Sequence, residues 1–147
     1  MPMIHDVSTD PDDPPQFIAL RDARLACKNG IAYSGLRGTA HRQQYPDIVP
    51  AVFKQTPATI YHSALAAVKN LDWAIEAAVE NEGRIEATAT TRILHFKDDV
   101  VIRIRPTIDG ARLDIRSASR LGRSDLGANA QRIRTFSLEL NISLKST

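Results

Sequence analysis

The chain has 147 residues, 43% of them hydrophobic and 24% charged, with 19 basic and 17 acidic side chains for a net charge of +2. That is one domain's worth of ordinary globular sequence, and so small a net charge does not by itself point to a nucleic-acid partner. The single cysteine, Cys27, excludes an internal disulfide and a cysteine-based zinc site, and no apolar run approaches the ~18 residues of a membrane span.

Residues 1–55 hold six of the eight prolines, among them Pro11, Pro14 and Pro15. Proline fixes φ and removes an amide donor, which forbids a long helix or a central strand there. The same segment carries Ile4, Val7, Phe17, Ile18, Tyr33, Tyr45 and Ile48, more large apolar groups than a disordered tail holds. It reads as an extended arm, with one helical turn near residues 17–26, laid over a domain spanning 56–147.

That domain opens at Thr56-Pro57, an N-cap followed by proline at the first helical position. Ile60, Ala64, Ala67, Val68 and Leu71 then recur at helical spacing, giving a helix over residues 57–69. A strand follows over 73–79, in which Trp73, Ile75 and Val79 share one parity and Glu76 has the other. Asn81-Glu82-Gly83 is a turn, and residues 84–92 alternate, Ile85, Ala87 and Ala89 against Glu86, Thr88 and Thr90. Strands over 99–105 and 111–119 flank Asp109-Gly110, a strong hairpin signal. After Gly122, Ser124 or Asp125 caps a closing helix with the stripe Leu126, Ala130, Ile133, Phe136 and Leu140. Helix, four strands, helix implies an α+β two-layer sandwich: an antiparallel sheet with both helices on one face and the proline-rich arm outside.

Between Arg103 and Arg134 eight arginines stand against three acids. A two-residue turn at Asp109-Gly110 would set Ile104 opposite Ile115, Arg105 opposite Asp114, Asp99 opposite Arg120, and Arg103 opposite Arg116. Opposed like charges on a sheet cost energy. Arg103 and Arg116 therefore need an anion. Glu86 or an acid of the arm can supply it from within. A phosphate, a carboxylate or an acidic partner can supply it from outside, since paired guanidinium groups suit bidentate recognition. On the external reading Arg103, Arg116 and Arg120, with Thr88 on the neighbouring strand, form the anion site, and Arg116→Met should leave folding largely intact.

Other chemistry is thinner. His5, Asp6, Asp10, Asp12 and Asp13 are hard-metal ligand types without the glycine and distal glutamate of a calcium loop, so no metal site and no cofactor is expected. His95, Ser117 or Ser119 and Asp98 make a triad only on paper. The glycines at 122 and 127 lack the Lys-Ser/Thr ending of a phosphate loop. Strands carrying the arginines hold no aromatic residue, against nucleic-acid binding. Ile93, Leu94, His95 and Phe96 form an apolar loop tip that either folds back on the core or touches a membrane or partner.

Asp98-Asp99-Val100 through Arg103, the run from Asp114 to Arg134, Ile4 to Asp10, Pro14 to Phe17 and Tyr45-Pro46-Asp47 together resemble the domain-of-unknown-function family 1499. The resemblance implies a bacterial protein of the kind that often carries this domain behind N-terminal transmembrane segments. On it, this chain would be a soluble, periplasmic portion of such a protein. It places the main surface at the Ser119–Asp125 motif and assigns no catalytic residue. The resulting expectation is a non-enzymatic domain at the bacterial envelope, binding an anionic ligand or acidic protein through its arginine face. The alternatives are an enzyme or carrier for a small hydrophobic molecule held between sheet and helices, or a structural module whose arm seals the charged face.

Overall fold

A computed structural model describes residues 3–146; Met1, Pro2 and Thr147, the outer ends of the two expected segments, lie outside the described residues. The fold is α+β, an antiparallel sheet of six strands with four helices among the described residues. In chain order these are β1 (Asp6–Ser8), α1 (Arg21–Leu25), α2 (Gly38–Gln44), β2 (Ala51–Phe53), α3 (Pro57–Asn70), β3 (Ala74–Val79), β4 (Arg84–Thr90), β5 (Lys97–Thr107), β6 (Gly110–Ser119) and α4 (Ala128–Lys145). The sheet runs β3-β4-β5-β6, and both β1 and β2 pair with the outer edge of β6.

Thr56 caps α3, its hydroxyl accepting from the Thr59 amide at 3.2 Å, with Pro57 in the first turn. The buried side chains Ile60, Ala64, Ala67 and Val68 of α3 meet Ala130, Ile133, Phe136 and Leu140 of α4 over Ile85, Ala87, Val100, Ile102, Leu113 and Ile115 of the sheet. This is the main core. Trp73 stacks on Phe136 at its margin, ring centroids 6.1 Å apart.

The opposite face is not left to solvent. Phe17 and Leu20 of the arm pack on Val101 and Ala118 in a second, smaller cluster. The proline-rich segment is more than the expected extended arm with one helical turn: it carries α1 and α2 as well as β1 and β2, α1 lies on this face, and Ile4, Val7, Tyr45 and Ile48 join the main core. Its two three-residue strands are edge strands, the one place in a sheet where such a segment fits.

Three local expectations need correction. The hairpin turns at Ile108-Asp109, so Thr107 pairs with Gly110 and Arg103 pairs with Asp114, not Arg116. Gly110 is required for a different reason than turn geometry: a Cβ there would run into the Phe53 carbonyl of β2. A β-bulge at Glu76 sets Ile75 opposite Ala87 and Val79 opposite Arg84, so those two side chains leave opposite faces of the sheet. Finally, Leu126 is not part of the α4 stripe. Leu126 and Gly127 take left-handed backbone angles, φ 53° and 85°, and the helix starts after them.

Candidate functional site

Two regions hold the residues singled out in the sequence. The first is the arginine face. The shift of register is by two residues, so Arg103 and Arg116 still share a face, but each meets an acid of this chain. Arg116 is 2% exposed. Its Nε and Nη2 donate to Asp6 Oδ1 and Oδ2 at 3.0 and 2.9 Å, and its remaining donors reach the carbonyls of Pro15 and Ile31. Phe17 and Tyr33 lie against its guanidinium, 4.8 and 5.5 Å away at their ring centroids. Burial, and then the negative charge of Asp6, push the Tyr33 hydroxyl pKa well above its ordinary value.

Arg103 donates to Asp10 at 3.3 Å and lies 3.6 Å from Asp114 and 3.8 Å from Asp13. Arg120 chelates Asp99 with Nε and Nη2 at 2.9 and 3.0 Å, and Arg24 from α1 reaches the same carboxylate at 3.0 Å. The hydrogen bond to Asp99 is the main reason the Arg120 pKa is raised. Thr88 donates to Asp99 at 2.9 Å. The four residues expected to hold an external anion are therefore all partnered by Asp6, Asp10 and Asp99. They do not form one cluster: Arg120 and Thr88 gather at Asp99, Arg116 at Asp6, and Arg103 among Asp10, Asp13 and Asp114.

Glu86, fully buried, accepts from three consecutive arm amides, Ile18 at 3.0 Å, Ala19 at 2.8 Å and Leu20 at 3.1 Å, and from Arg84. A carboxylate aimed at successive amides just before a helix suits the partial positive charge there. Asp114 accepts from the Thr9 hydroxyl at 2.7 Å and from Arg112 at 2.8 Å. Buried charges persist only when paired and hydrogen-bonded, and here the arm and sheet supply each other's partners.

The second region is the loop end of the sheet. The β4–β5 loop and the loop from β6 to α4 border an open cleft of about 320 Å³ lined by Thr91, Arg92, Ile93, Leu94, Phe96 and Leu126, with Asp98, Ser124, Asp125 and Ala128 also lining it. The apolar tip does not fold back: Ile93 is 87% and Leu126 80% exposed, and Leu94 and Phe96 are exposed as well. Beside it lies a buried polar knot. Arg132 meets Asp98 at 2.8 Å, Ser117 donates to Asn129 at 2.6 Å, and the Asn129 amide reaches Ser119 and Asp125, each at 2.8 Å. Burial raises the Asp98 pKa, with the Arg132 charge acting against it. Asp125 also accepts from the amides of Gly127 and Asn129 at the head of α4, but the N-cap is Gly127 and not Ser124 or Asp125 as expected.

Ser117 donates to Asn129 and Ser119 accepts from it, both buried, while His95 sits exposed in the loop. No group of three or more His, Cys, Asp or Glu side chains among the described residues is placed to hold a metal, and no described helix is long and apolar enough to cross a membrane. Sequence reasoning gave no specific role to Asp6, Arg24 or Asn129. Three of their partners, Arg116, Asp99 and Ser119, lie 110, 75 and 10 positions away, and no local pattern announces such pairs.

Among solved structures, the crystal structure of protein CV1439 from Chromobacterium violaceum is similar at 16% identity, covering 66% of this chain and 93% of that one, with a TM-score of 0.48. No curated protein matches the chain. The family described as "Protein of unknown function (DUF1499)" matches residues 6–140, nearly the whole length and both regions just described. This chain belongs to the DUF1499 family.

Proposed function

We propose that this is a non-catalytic binding domain whose recognition surface is the loop end of the sheet, not its arginine face. One contrast supports the reading. The arginines at 103, 116 and 120 are paired with carboxylates of the chain itself, whereas Ile93, Leu94, Phe96 and Leu126 stand in solvent around a cleft of about 320 Å³. Contiguous exposed apolar side chains on a soluble domain mark a place of contact, and a mostly apolar cleft with a few polar groups is the usual form of a ligand site. The carrier reading is kept in altered form, with the apolar occupant at the end of the sheet. Asp98, Ser117 and Asn129 form a closed polar network beside the cleft, which suits support of a surface better than proton transfer.

The test is titration with an apolar fluorescent dye, anilinonaphthalene sulfonate, against the folded protein. The wild type should bind it saturably, and the exposed-site double variant Leu94→Ser/Leu126→Ser should weaken that binding about tenfold, the equivalent of roughly 1.4 kcal/mol. Equal dye binding by both proteins would refute the assignment.

A further inference from the structure

We infer that the partner of this loop end is an anionic lipid surface, an inference that rests on the binding reading above and names its occupant. Three features of the site favour a bilayer. First, the apolar groups project from two separate loops, Ile93, Leu94 and Phe96 from one and Leu126 from the other, all lining the cleft. Projecting tips of this kind enter the boundary between headgroups and acyl chains.

Second, the cations and anions of the two loops are treated differently. Arg92, Lys97 and Arg123 are all exposed in or beside these loops. The two carboxylates lining the cleft are drawn inward, Asp98 onto Arg132 and Asp125 onto the amides of Gly127 and Asn129. The charge presented outward is therefore positive, complementary to acidic headgroups. Each such cation raises partitioning onto an acidic membrane roughly fivefold.

Third, the loops are seated on a rigid base. The Thr91 hydroxyl accepts from the Phe96 amide at 2.8 Å, and the Thr91 amide donates to the Phe96 carbonyl at 2.8 Å, closing the β4–β5 loop. The Asp125 amide donates to the Ile4 carbonyl at 2.8 Å, which ties the second loop to the arm. The apolar groups are held outward before any partner arrives, so docking orders little further chain.

The experiment is co-sedimentation of the full chain with large vesicles of phosphatidylcholine alone and of phosphatidylcholine mixed with phosphatidylglycerol, at low and high salt. The wild type should pellet with the acidic vesicles, more weakly at high salt, and not with the neutral ones. Ile93→Ser/Leu94→Ser and Arg92→Gln/Arg123→Gln should each lower acidic-vesicle binding about tenfold or more, with unchanged circular dichroism. Failure to pellet with acidic vesicles overturns the lipid assignment. So does pelleting that both double variants retain. So does self-association through the same side chains without vesicle binding. If dye binding persists in any of those cases, the binding surface stands and only its occupant is wrong; if dye binding is also absent, both fail.

Discussion

Replacing Arg116 with methionine removes the partner of a carboxylate that has nowhere else to go. Asp6 is 2% exposed, and Arg116 gives it two hydrogen bonds near 3 Å; the Ser34 amide adds one more at 3.1 Å. Stripping one member from a buried ion pair costs about 3–5 kcal/mol, because the survivor keeps its charge without its counterion. The carbonyls of Pro15 and Ile31 also lose their donor. A domain of this size has roughly 5–15 kcal/mol in total. Arg116→Met should therefore lower the urea midpoint by about 1–3 M at an ordinary slope and the melting temperature by about 10–15 °C, read from Trp73 fluorescence and calorimetry. This reverses the expectation that the site tolerates methionine. Asp6→Leu/Arg116→Met should recover part of the loss, since two apolar groups leave no stranded charge. A single variant losing less than about 1 kcal/mol, the range of an exposed pair, would show that Asp6 and Arg116 do not hold the arm to the sheet.

Gly83→Ala should cost about 2 kcal/mol or more: Gly83 has φ 61°, and an added Cβ would meet the Ile104 carbonyl across the ladder. A urea melt within 0.5 kcal/mol of wild type, the spread of neutral surface changes, would contradict that geometry. Acid sensitivity should split by sign. Hydrogen bonding to Arg134 lowers the Asp47 pKa below its usual 3.8, so its contribution is present above that pH and lost as pH falls through the folded value; the advantage of wild type over Asp47→Asn should shrink in acid. Asp98, raised by burial, runs the other way. Its contribution is fullest below 3.8 and is lost as pH rises through the folded value, so Asp98→Asn should gain on wild type as pH rises, and parallel pH profiles for the two variants would refute the signs. Glu86→Ala should free the arm, with faster proteolysis after Lys28 or Arg21 in limited trypsin digestion, because three amides and Arg84 lose one shared acceptor; unchanged cleavage would place the hold elsewhere.

The parts of the fold legible in the sequence are those fixed by local rules. Thr56-Pro57 starts α3 where an N-cap and proline should, and the alternation of Ile85, Ala87 and Ala89 against Glu86 and Thr88 separates the two faces of β4 as written. The coverage of the basic face by an acid-bearing arm was also within reach, because opposed arginines demand a counterion from somewhere. Its detail was not. β1 and β2 are three residues each and exist only because β6 offers them an edge more than 50 positions downstream. Asp109-Gly110 looked like a turn by composition, yet the glycine answers to the approach of Phe53 in a distant strand. The Glu76 bulge leaves no mark in a sequence of alanines. At the loop end, the motif from Ser119 to Asp125 borders the surface proposed above. Whether Leu126 belonged to a helix stripe or to an exposed tip turned on the backbone angle of Gly127, which residue pattern alone does not set.

The placement of β1 and β2 on one edge of β6 bears on how the protein is made. Residues 6–8 find their partners at 116–118, and 51–53 find theirs at 111–113. During synthesis residues 6–8 and 51–53 therefore emerge before the strand that receives them. Pairings so distant in sequence must close large loops and form slowly. Val7 and Phe17 thus stay unsheltered until the β5–β6 hairpin they pack against is complete. Apolar side chains left uncovered during such an interval are where a folding chain is most open to wrong association.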